Sequence, residues 1–233
     1  SFPVSSGSGG QWGGNSSTSG VYAACMKLRE AIVQKLGFAN DAVFVDGEVR
    51  AGGKSSSLAK AAGAAGMMAE DFIEFGDLDK KYEQSTFGAH FVEVGVDAAT
   101  GEIRVRRMLA VCSCGRILNP KTARSQVIGG MSMGVGAALM EEMVVDKRRG
   151  FFVNHDLAGY EVPVHADIPH QEVIFLQQTD PISSPMKAKG VGELGICGAA
   201  AAVANAVYNA TGVRVRHYPI TLDKLIDGLP DLA

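Results

Sequence analysis

Two segments of this chain alternate between hydrophobic and polar residues, and a short turn sequence separates them. The segments are 87–96 and 102–111, and the residues between them read Asp-Ala-Ala-Thr-Gly. Alternation places successive side chains on opposite faces of a strand, so we predict a β-hairpin here. A shorter hairpin is predicted at 42–50, where Asp46-Gly47 supplies the turn. Further strands are predicted at 143–145, 173–176 and 213–216.

Helical spacing of apolar residues appears between these segments. Residues 21–36 carry an apolar side chain every three or four positions, and Asn119-Pro120 is typical of the start of a second helix. Further helices are predicted at 57–68, 198–209 and 222–227. Hairpins and helices follow one another in separate runs, without strict alternation. The pattern therefore predicts an α+β fold, with mixed and antiparallel sheets packed against helices.

Composition narrows the function classes. The chain has 233 residues, of which 46% are hydrophobic and 20% charged, so we expect a globular protein that forms one region, 1–233, with room for two subdomains. The net charge of −3 gives no electrostatic reason to expect nucleic acid or an anionic membrane as a partner. We expect no membrane-spanning segment and see no signal peptide.

The four cysteines are too few and too scattered for a disulfide framework, which makes a reducing compartment the default. Cys112 and Cys114 are two residues apart, so they share one face if the strand continues through them. No Cys or His stands nearby at metal-ligand spacing. We interpret both as packing residues and expect no protein-ligated metal.

The stretch Lys-Gly-Val-Gly-Glu-Leu-Gly-Ile-Cys-Gly at 189–198 is the most informative part of the chain. Glu193 lies between glycines, and a run of alanines follows. A glycine turn has no side chains in the way, so its backbone can come close to another chain segment or to a ligand. We expect the Glu193 carboxylate there to be partly desolvated and able to accept a proton near neutral pH. The simpler interpretation is a surface glutamate in the first turn of a helix.

A first glycine cluster, at 7–14, precedes the predicted helix at 21–36. Free N–H groups and the positive end of the helix dipole make such a loop suitable for an anion. It lacks the Lys-Ser/Thr pair of a phosphate-binding Walker loop, and a flexible linker explains it equally simply.

Two letter patterns suggest other activities. Gly130-Met-Ser132-Met-Gly134 has the form of a serine-hydrolase nucleophile elbow, with Asp156, Asp180 and His217 downstream as partners. An elbow needs a strand before the serine, whereas 121–126 is predicted to be helical. Residues 190–195 match the dinucleotide fingerprint in letters, but no strand lies directly before them and Glu193 would repel a pyrophosphate. We reject the second pattern and keep the first as an alternative.

Several motifs together resemble one family. They are the Gly-Val-Gly-Glu motif at 190–193, the Gln-Val-Ile-Gly-Gly block at 126–130, the turn at 97–102, Gly-Arg-Ile-Leu-Asn-Pro at 115–120 and the opening Gly-Gln-Trp-Gly-Gly loop. In this order and spacing they resemble the C-terminal part of the molybdenum-binding subunit of the xanthine dehydrogenase and aldehyde oxidase family. Bacterial aldehyde oxidoreductases, including the periplasmic type, are the most similar. The resemblance covers essentially the whole chain.

The resemblance implies oxidative hydroxylation of aldehydes or nitrogen heterocycles at a Mo(=O)(=S)(OH) pterin centre. It makes Glu193 the general base that takes the proton from Mo–OH, and Gln126 a hydrogen-bond donor to the pterin. It also places two groups of residues beside the cofactor: Gly10, Gln11, Trp12, Gly13 and Gly14 of the first loop, and Lys189, Gly190, Val191 and Gly192 of the motif.

Cofactors, partners and location follow from the same resemblance. It implies molybdopterin, in bacteria usually the cytosine dinucleotide form, and FAD and 2Fe-2S clusters on partner subunits or domains. We expect a cytoplasmic or periplasmic location. Leu194-Gly195 stands where many members have Pro-Pro, which favours the aldehyde-type branch.

The family's subunit is several times longer than this chain, and its first half supplies a Gly-Gly-Phe-Gly segment and a substrate-orienting arginine that are absent here. We therefore expect a fragment that is inactive by itself. Besides the serine hydrolase, a third hypothesis is a non-catalytic assembly module whose small-residue faces pack on a partner subunit.

Overall fold

The structure is a computed structural model that describes residues 7–10, 13–74 and 76–230. These residues form two compact units. The first unit contains the described residues of Ser1–Ser8, Gly13–Gln84 and Ser184–Met186. The second contains those of Gly9–Trp12, Ser85–Ser183 and Lys187–Ala233.

The first unit begins with the long helix α1, Gly13–Leu36. The predicted helix at 21–36 is confirmed, but α1 starts eight residues earlier, inside the polar Gly-Asn-Ser-Thr run. The hydroxyls of Thr18 and Ser19 donate to the carbonyls of Gly14 and Asn15, at 2.6 and 2.7 Å. These bonds satisfy the hydroxyls within the helix, so the polar run does not interrupt it. Gly13 and Gly14 are therefore helical residues and not part of a loop.

A small antiparallel sheet follows α1. Strands β1 (Val43–Val45) and β2 (Glu48–Ala51) form the predicted hairpin, and Asp46 and Gly47 at its turn both have positive φ, as a type I′ turn requires. A third strand, β3 (Lys54–Ser57), was not predicted, because its Lys-Ser-Ser-Ser sequence has no hydrophobic alternation.

Two short helices complete the first unit, α2 (Leu58–Ala62) and α3 (Leu78–Lys81). The Ser57 side chain caps α2 by accepting from the Lys60 N–H at 3.2 Å. The predicted helix at 57–68 is too long, because Gly63 adopts φ +71 and ends it. The core of this unit is formed by Ile32, Val33, Ala42, Val49 and Ala61.

The second unit is built on a three-stranded sheet. Its hairpin joins β4 (Phe87–Val96) to β5 (Ile103–Ser113), as predicted, with a bulge between Glu93 and Val94. β5 is the central strand, and β8 (Gln171–Phe175) pairs with its other edge in parallel. A separate two-stranded ribbon consists of β6 (Val145–Asp146) and β7 (Phe151–Phe152).

Three helices pack in this unit: α4 (Pro120–Leu139), α5 (Leu194–Cys197) and α6 (Ala199–Thr211). Asn119 caps α4, with its side-chain oxygen 3.1 and 3.2 Å from the N–H groups of Lys121 and Thr122. The core lies between these helices and the sheet. Its most deeply buried members include Cys112, Cys114, Val127, Met131, Val135, Val203, Val207 and Leu225. The predicted α+β class and the packing role of Cys112 and Cys114 are confirmed.

Two predictions near the C-terminus are wrong. Residues 213–216 form no strand, because no neighbouring strand within the described part of the chain pairs with them. Residues 222–227 form two 3₁₀ turns, Leu222–Lys224 and Ile226–Gly228, and not one α-helix.

The stretch Leu194–Thr211 is, contrary to expectation, long and apolar enough by composition to cross a bilayer. In the structure it is divided into α5 and α6 at Gly198. Ala199, Val203 and Val207 of α6 are buried in the core of the second unit. Burial in this core involves only part of the stretch, 28% of which is buried.

Candidate functional site

Glu193 lies at a sharp turn that immediately precedes α5. Its backbone has φ +68 and ψ −22, in the left-handed region. Its carbonyl accepts hydrogen bonds from the N–H groups of Ile196 and Cys197, both at 3.0 Å. A side-chain-bearing residue in this conformation costs about 1 kcal/mol or more, so surrounding contacts must hold the turn.

The Glu193 side chain is exposed in this structure. The expectation of a partly desolvated carboxylate is therefore wrong for this chain by itself. The physical reason is the geometry of the turn: the next two residues, Leu194 and Gly195, take the buried positions and leave the carboxylate at the surface.

Helix α4 holds the Glu193 turn from one side. A Cβ atom on Gly130 would lie 2.7 Å from both the carbonyl carbon of Gly195 and the nitrogen of Ile196. A Cβ on Gly195 would lie 2.5 Å from the carbonyl oxygen of Val127. Only glycine at both positions allows the two backbones to come so close.

Gln126 precedes Val127 on α4, so it belongs to the helical turn that contacts Gly195. Its side chain is exposed and makes no hydrogen bond to another residue that the structure describes. Gly129, also exposed, has open space where a side chain would be. A free amide beside an open glycine surface can serve both donor and acceptor edges of a ligand.

The first glycine cluster reaches the same turn through its backbone. The Gly10 carbonyl accepts a hydrogen bond from the Gly192 N–H at 2.9 Å. This bond joins the loop before α1 to the residue that precedes Glu193. Gln11 and Trp12 lie outside the described residues, and Gly13 and Gly14 belong to the first unit.

Lys189 is placed beside a cofactor by the resemblance, but its ammonium group contacts other residues of the chain. Its ammonium group donates to the Ser85 carbonyl at 2.8 Å and lies 3.6 Å from an Asp180 carboxylate oxygen. Its backbone N–H donates to the Cys114 carbonyl at 3.0 Å. Val191 is buried. Lys189 therefore attaches the glycine motif to Cys114, the residue that follows β5, and Val191 packs in the core.

The Asp180 carboxylate is arranged to stay ionised. Partial burial alone would raise its pKa, but hydrogen bonds from the N–H groups of Ser183 and Ile182, at 2.6 and 2.8 Å, oppose this, as does the nearby Lys189 ammonium. The net effect is a pKa below the usual value. The charge pair therefore persists at neutral pH.

One residue that contacts Gly195 was missed by sequence reasoning. His90 of β4 hydrogen-bonds the Gly195 backbone, and its ring lies against Gly198. The five histidines show no ligand spacing, so nothing in the sequence distinguished this one. Strand alternation could have identified it, because His90 shares one face of β4 with Val92 and Val94, which pack against the core.

The nucleophile-elbow alternative does not fit the structure. Ser132 lies in the middle of α4, and no strand precedes it. Its hydroxyl donates to the Ile128 carbonyl at 3.0 Å and lies 3.2 Å from the Gln171 amide nitrogen. A hydroxyl held inside a helix by its own backbone is not presented to a substrate.

The assembly-module alternative is only partly addressed by the packing of α4. Part of the small-residue surface is used within the second unit, where Gly130 meets Gly195 and Gly134 meets Ala199. Gly129 and Ala201 remain exposed, so the alternative stays a hypothesis.

Comparisons with known proteins agree with the geometry. A family model for the molybdopterin cofactor-binding domain matches residues 1–169. The aldehyde oxidoreductase molybdenum-binding subunit PaoC of Escherichia coli (strain K12) is 72% identical over 234 residues, which cover 100% of this chain and 32% of PaoC. The putative xanthine dehydrogenase molybdenum-binding subunit XdhA of the same strain is 41% identical over 141 residues, which cover 60% of this chain and 19% of XdhA.

Solved structures show the same fold. Quinoline 2-oxidoreductase from Pseudomonas putida 86 matches with a TM-score of 0.68 and 26% identity, over 87% of this chain and 28% of that protein. The chain thus spans 32% of the length of the relative PaoC. The chain belongs to the molybdopterin cofactor-binding domain family, as part of the molybdenum-binding subunits of the xanthine dehydrogenase and aldehyde oxidoreductase group.

Proposed function

We propose that this chain is the part of a molybdenum hydroxylase that supplies the general base, Glu193, and a cofactor-binding amide, Gln126. The observation that carries the proposal is the packing of α4 on α5. Because Gly130 and Gly195 bring the two backbones into contact, the turn with Glu193 and the helical turn with Gln126 belong to one rigid arrangement.

The residues present fit a pterin cofactor. The Glu193 carboxylate is exposed, and so is the Gln126 amide, which has no hydrogen-bond partner among the residues that the structure describes. The Gly10 backbone is bonded to the 190–192 motif, and Gly129 offers an open glycine surface next to Gly130, which contacts Gly195. Amide and backbone groups match the donors and acceptors of a pterin ring, and glycines allow close approach. No group of three or more potential metal ligands occurs within the described ranges. The donor set therefore suits an organic ligand that brings its own metal.

When bound, the molybdenum cofactor would supply the redox chemistry of the hydroxylation. The task of this chain is positioning and proton transfer. The Glu193 carboxylate would accept the proton from the attacking oxygen, and Gln126 would orient the pterin through its amide. The left-handed turn is held by the Gly10 bond, by the contact with α4 and by Lys189. These contacts would keep that carboxylate in one place during the reaction.

The proposed substrates are aldehydes, the class named for the relative PaoC. A nitrogen heterocycle is the second class, since XdhA and quinoline 2-oxidoreductase carry such names. Within this proposal the cofactor is the cytosine dinucleotide form, and the electrons leave through 2Fe-2S clusters and FAD on partner subunits or domains.

Because Glu193 is exposed here, its role as a general base requires that something else shield it from water. A general base works best when bulk water is excluded and its basicity is tuned. We infer that polypeptide corresponding to the rest of the longer relatives covers this carboxylate in the complete subunit. The isolated 233-residue chain should then bind the cofactor weakly or not at all, and metal analysis of the purified chain would reveal stoichiometric molybdenum if this inference were wrong.

The proposal is tested by Glu193→Gln in the complete assembled enzyme. Removing a general base should lower kcat by about 10²- to 10⁴-fold, while the molybdenum content stays unchanged. Glu172→Gln, which neutralises another exposed carboxylate of the second unit, is the matched control and should keep its activity. Undiminished turnover in Glu193→Gln would reject the assigned role.

The cofactor-binding role of Gln126 is tested by measuring the molybdenum content of variants, in addition to their turnover. Gln126→Ala should lower the molybdenum content of the purified enzyme, whereas Gln126→Glu keeps the length but loses the donor. If both variants retained full molybdenum, the amide would not hold the pterin.

A further inference from the structure

His90 packs against Gly195 and Gly198, two glycines that follow Glu193 in the chain. It is in the middle of β4, opposite Ala110 of β5, and a Cβ atom on Gly198 would lie 2.6 Å from its Nδ1. The ring therefore occupies the space that a side chain at 198 would need. Gly198 is the residue between α5 and α6, so the imidazole fits into the junction of the two helices.

The ring has a polar contact with the Gly195 backbone. Its Nε2 is buried and has no partner in the described part of the chain, so we assign the contact to Nδ1, the ring atom nearest to the Cβ position of Gly198. Burial lowers the pKa of His90, although the bond to Gly195 opposes this shift. The imidazole is therefore neutral at neutral pH and has a single N–H. That N–H is best placed on Nδ1, where it donates to the Gly195 carbonyl.

The turn needs such support because its backbone is strained. Glu193 is one of three residues other than glycine with positive φ in the described ranges. Gly192 before it is held by the Gly10 carbonyl, and Gly195 after it contacts Val127, Gly130 and His90. Strain of this kind persists only where neighbouring groups fix it.

We propose that His90 is a positioning residue for Glu193, acting through the Nδ1 hydrogen bond to Gly195 and the fit of its ring against Gly198. The inference rests on the proposed function, in which Glu193 is the base. It assigns a specific task to a histidine that touches no reacting atom: it keeps the carboxylate at one distance from the substrate site.

Three variants in the complete assembled enzyme separate positioning from simple packing. His90→Asn places an amide N–H where Nδ1 was, His90→Gln places it nearer the position of Nε2, and His90→Leu has no donor. We expect Asn to retain kcat within about 3-fold, and Gln and Leu to lose about 10- to 100-fold, because small displacements of a catalytic group have effects of this size. KM and molybdenum content should stay unchanged in all three.

Hydrogen–deuterium exchange supplies a readout that does not depend on activity. The amides of Ile196 and Cys197, which donate to the Glu193 carbonyl, should exchange faster in the Gln and Leu variants and at the normal rate in the Asn variant. Equal behaviour of all three variants, in either exchange or kcat, would overturn the inference.

The two proposals fail in different ways. If Glu193→Gln kept full turnover, the proposed base would be rejected, while exchange at 196–197 would still report whether His90 holds the turn. If Glu193→Gln lost turnover and His90→Leu kept it, only the positioning role of His90 would be rejected.

Discussion

Gly130 of α4 and Gly195 of α5 are in backbone contact, so that a methyl group on Gly130 would lie 2.7 Å from the Gly195 carbonyl carbon. This contact links the helix that carries Gln126 to the turn that carries Glu193. It also explains why two glycines interrupt otherwise apolar segments at these positions. Each lies where another backbone takes the place of a side chain.

Gly130→Ala should destabilise the protein. The added methyl must push α5 away, at a cost of about 1–3 kcal/mol that exceeds the gain in helix propensity. Gly129→Ala is the matched control, because the neighbouring glycine is exposed and has open space around it. It should be neutral or stabilising by up to about 1 kcal/mol. Chemical unfolding of the cofactor-free protein measures both, and equal effects would contradict the close contact.

Asn119→Ala should lower the free energy of unfolding by about 1 kcal/mol. The Asn119 side chain caps α4 through the N–H groups of Lys121 and Thr122, and alanine leaves both without this acceptor. Asn119→Asp keeps an oxygen in place and adds a favourable charge at the helix N-terminus, so it should retain stability. A loss in Asp as large as that in Ala would show that the cap contributes little.

Cys112 and Cys114 should resist alkylation in the folded chain. Burial raises the pKa of Cys114 to about 11, with a further contribution from Cys112, while Lys189 opposes the shift. At pH 8 only about one such thiol in a thousand is ionised, and the thiolate is the reactive form. Cys25 and Cys197 are exposed and serve as internal controls. Mass spectrometry after iodoacetamide should find two labels in the folded chain and four after denaturation.

The same raised pKa predicts loss of stability in alkali. Because the folded pKa of Cys114 lies above its ordinary 9.0, the contribution of the protonated thiol is complete below pH 9 and is lost as the pH rises through about 11. Cys114→Ala should flatten this part of the stability curve. An unchanged alkaline limb would contradict the assignment.

Asp180 predicts a loss of stability in acid. Its folded pKa lies below the ordinary 3.8, so its contribution is present above pH 3.8 and disappears as the pH falls through the folded value. Asp180→Asn should cost about 1 kcal/mol at pH 7, and the difference from the parent should shrink in acid. Asp227→Asn, at an exposed site, is the control. A difference that did not change with pH would argue against the Lys189–Asp180 pair.

Local patterns were sufficient for several elements. The β4–β5 hairpin was predicted because alternation and a five-residue turn are both encoded within 27 consecutive residues, 87–113. Asp46-Gly47 and Asn119-Pro120 likewise marked a turn and a helix start that the structure contains. The parallel pairing of β8 with β5 could not be predicted, because the sequence of a strand does not indicate which distant strand it pairs with.

The main strands and helices, the family, and one carboxylate among glycines can all be recognised from the order of residues in the chain. The left-handed backbone and exposed side chain of Glu193, and the packing of Gly130, Gly10 and His90 around its turn, are known only from the folded arrangement. Periodicity and turn residues act between neighbours in the chain, so they can be read locally. The space beside a glycine is filled by whichever distant segment packs there, and that depends on the whole fold.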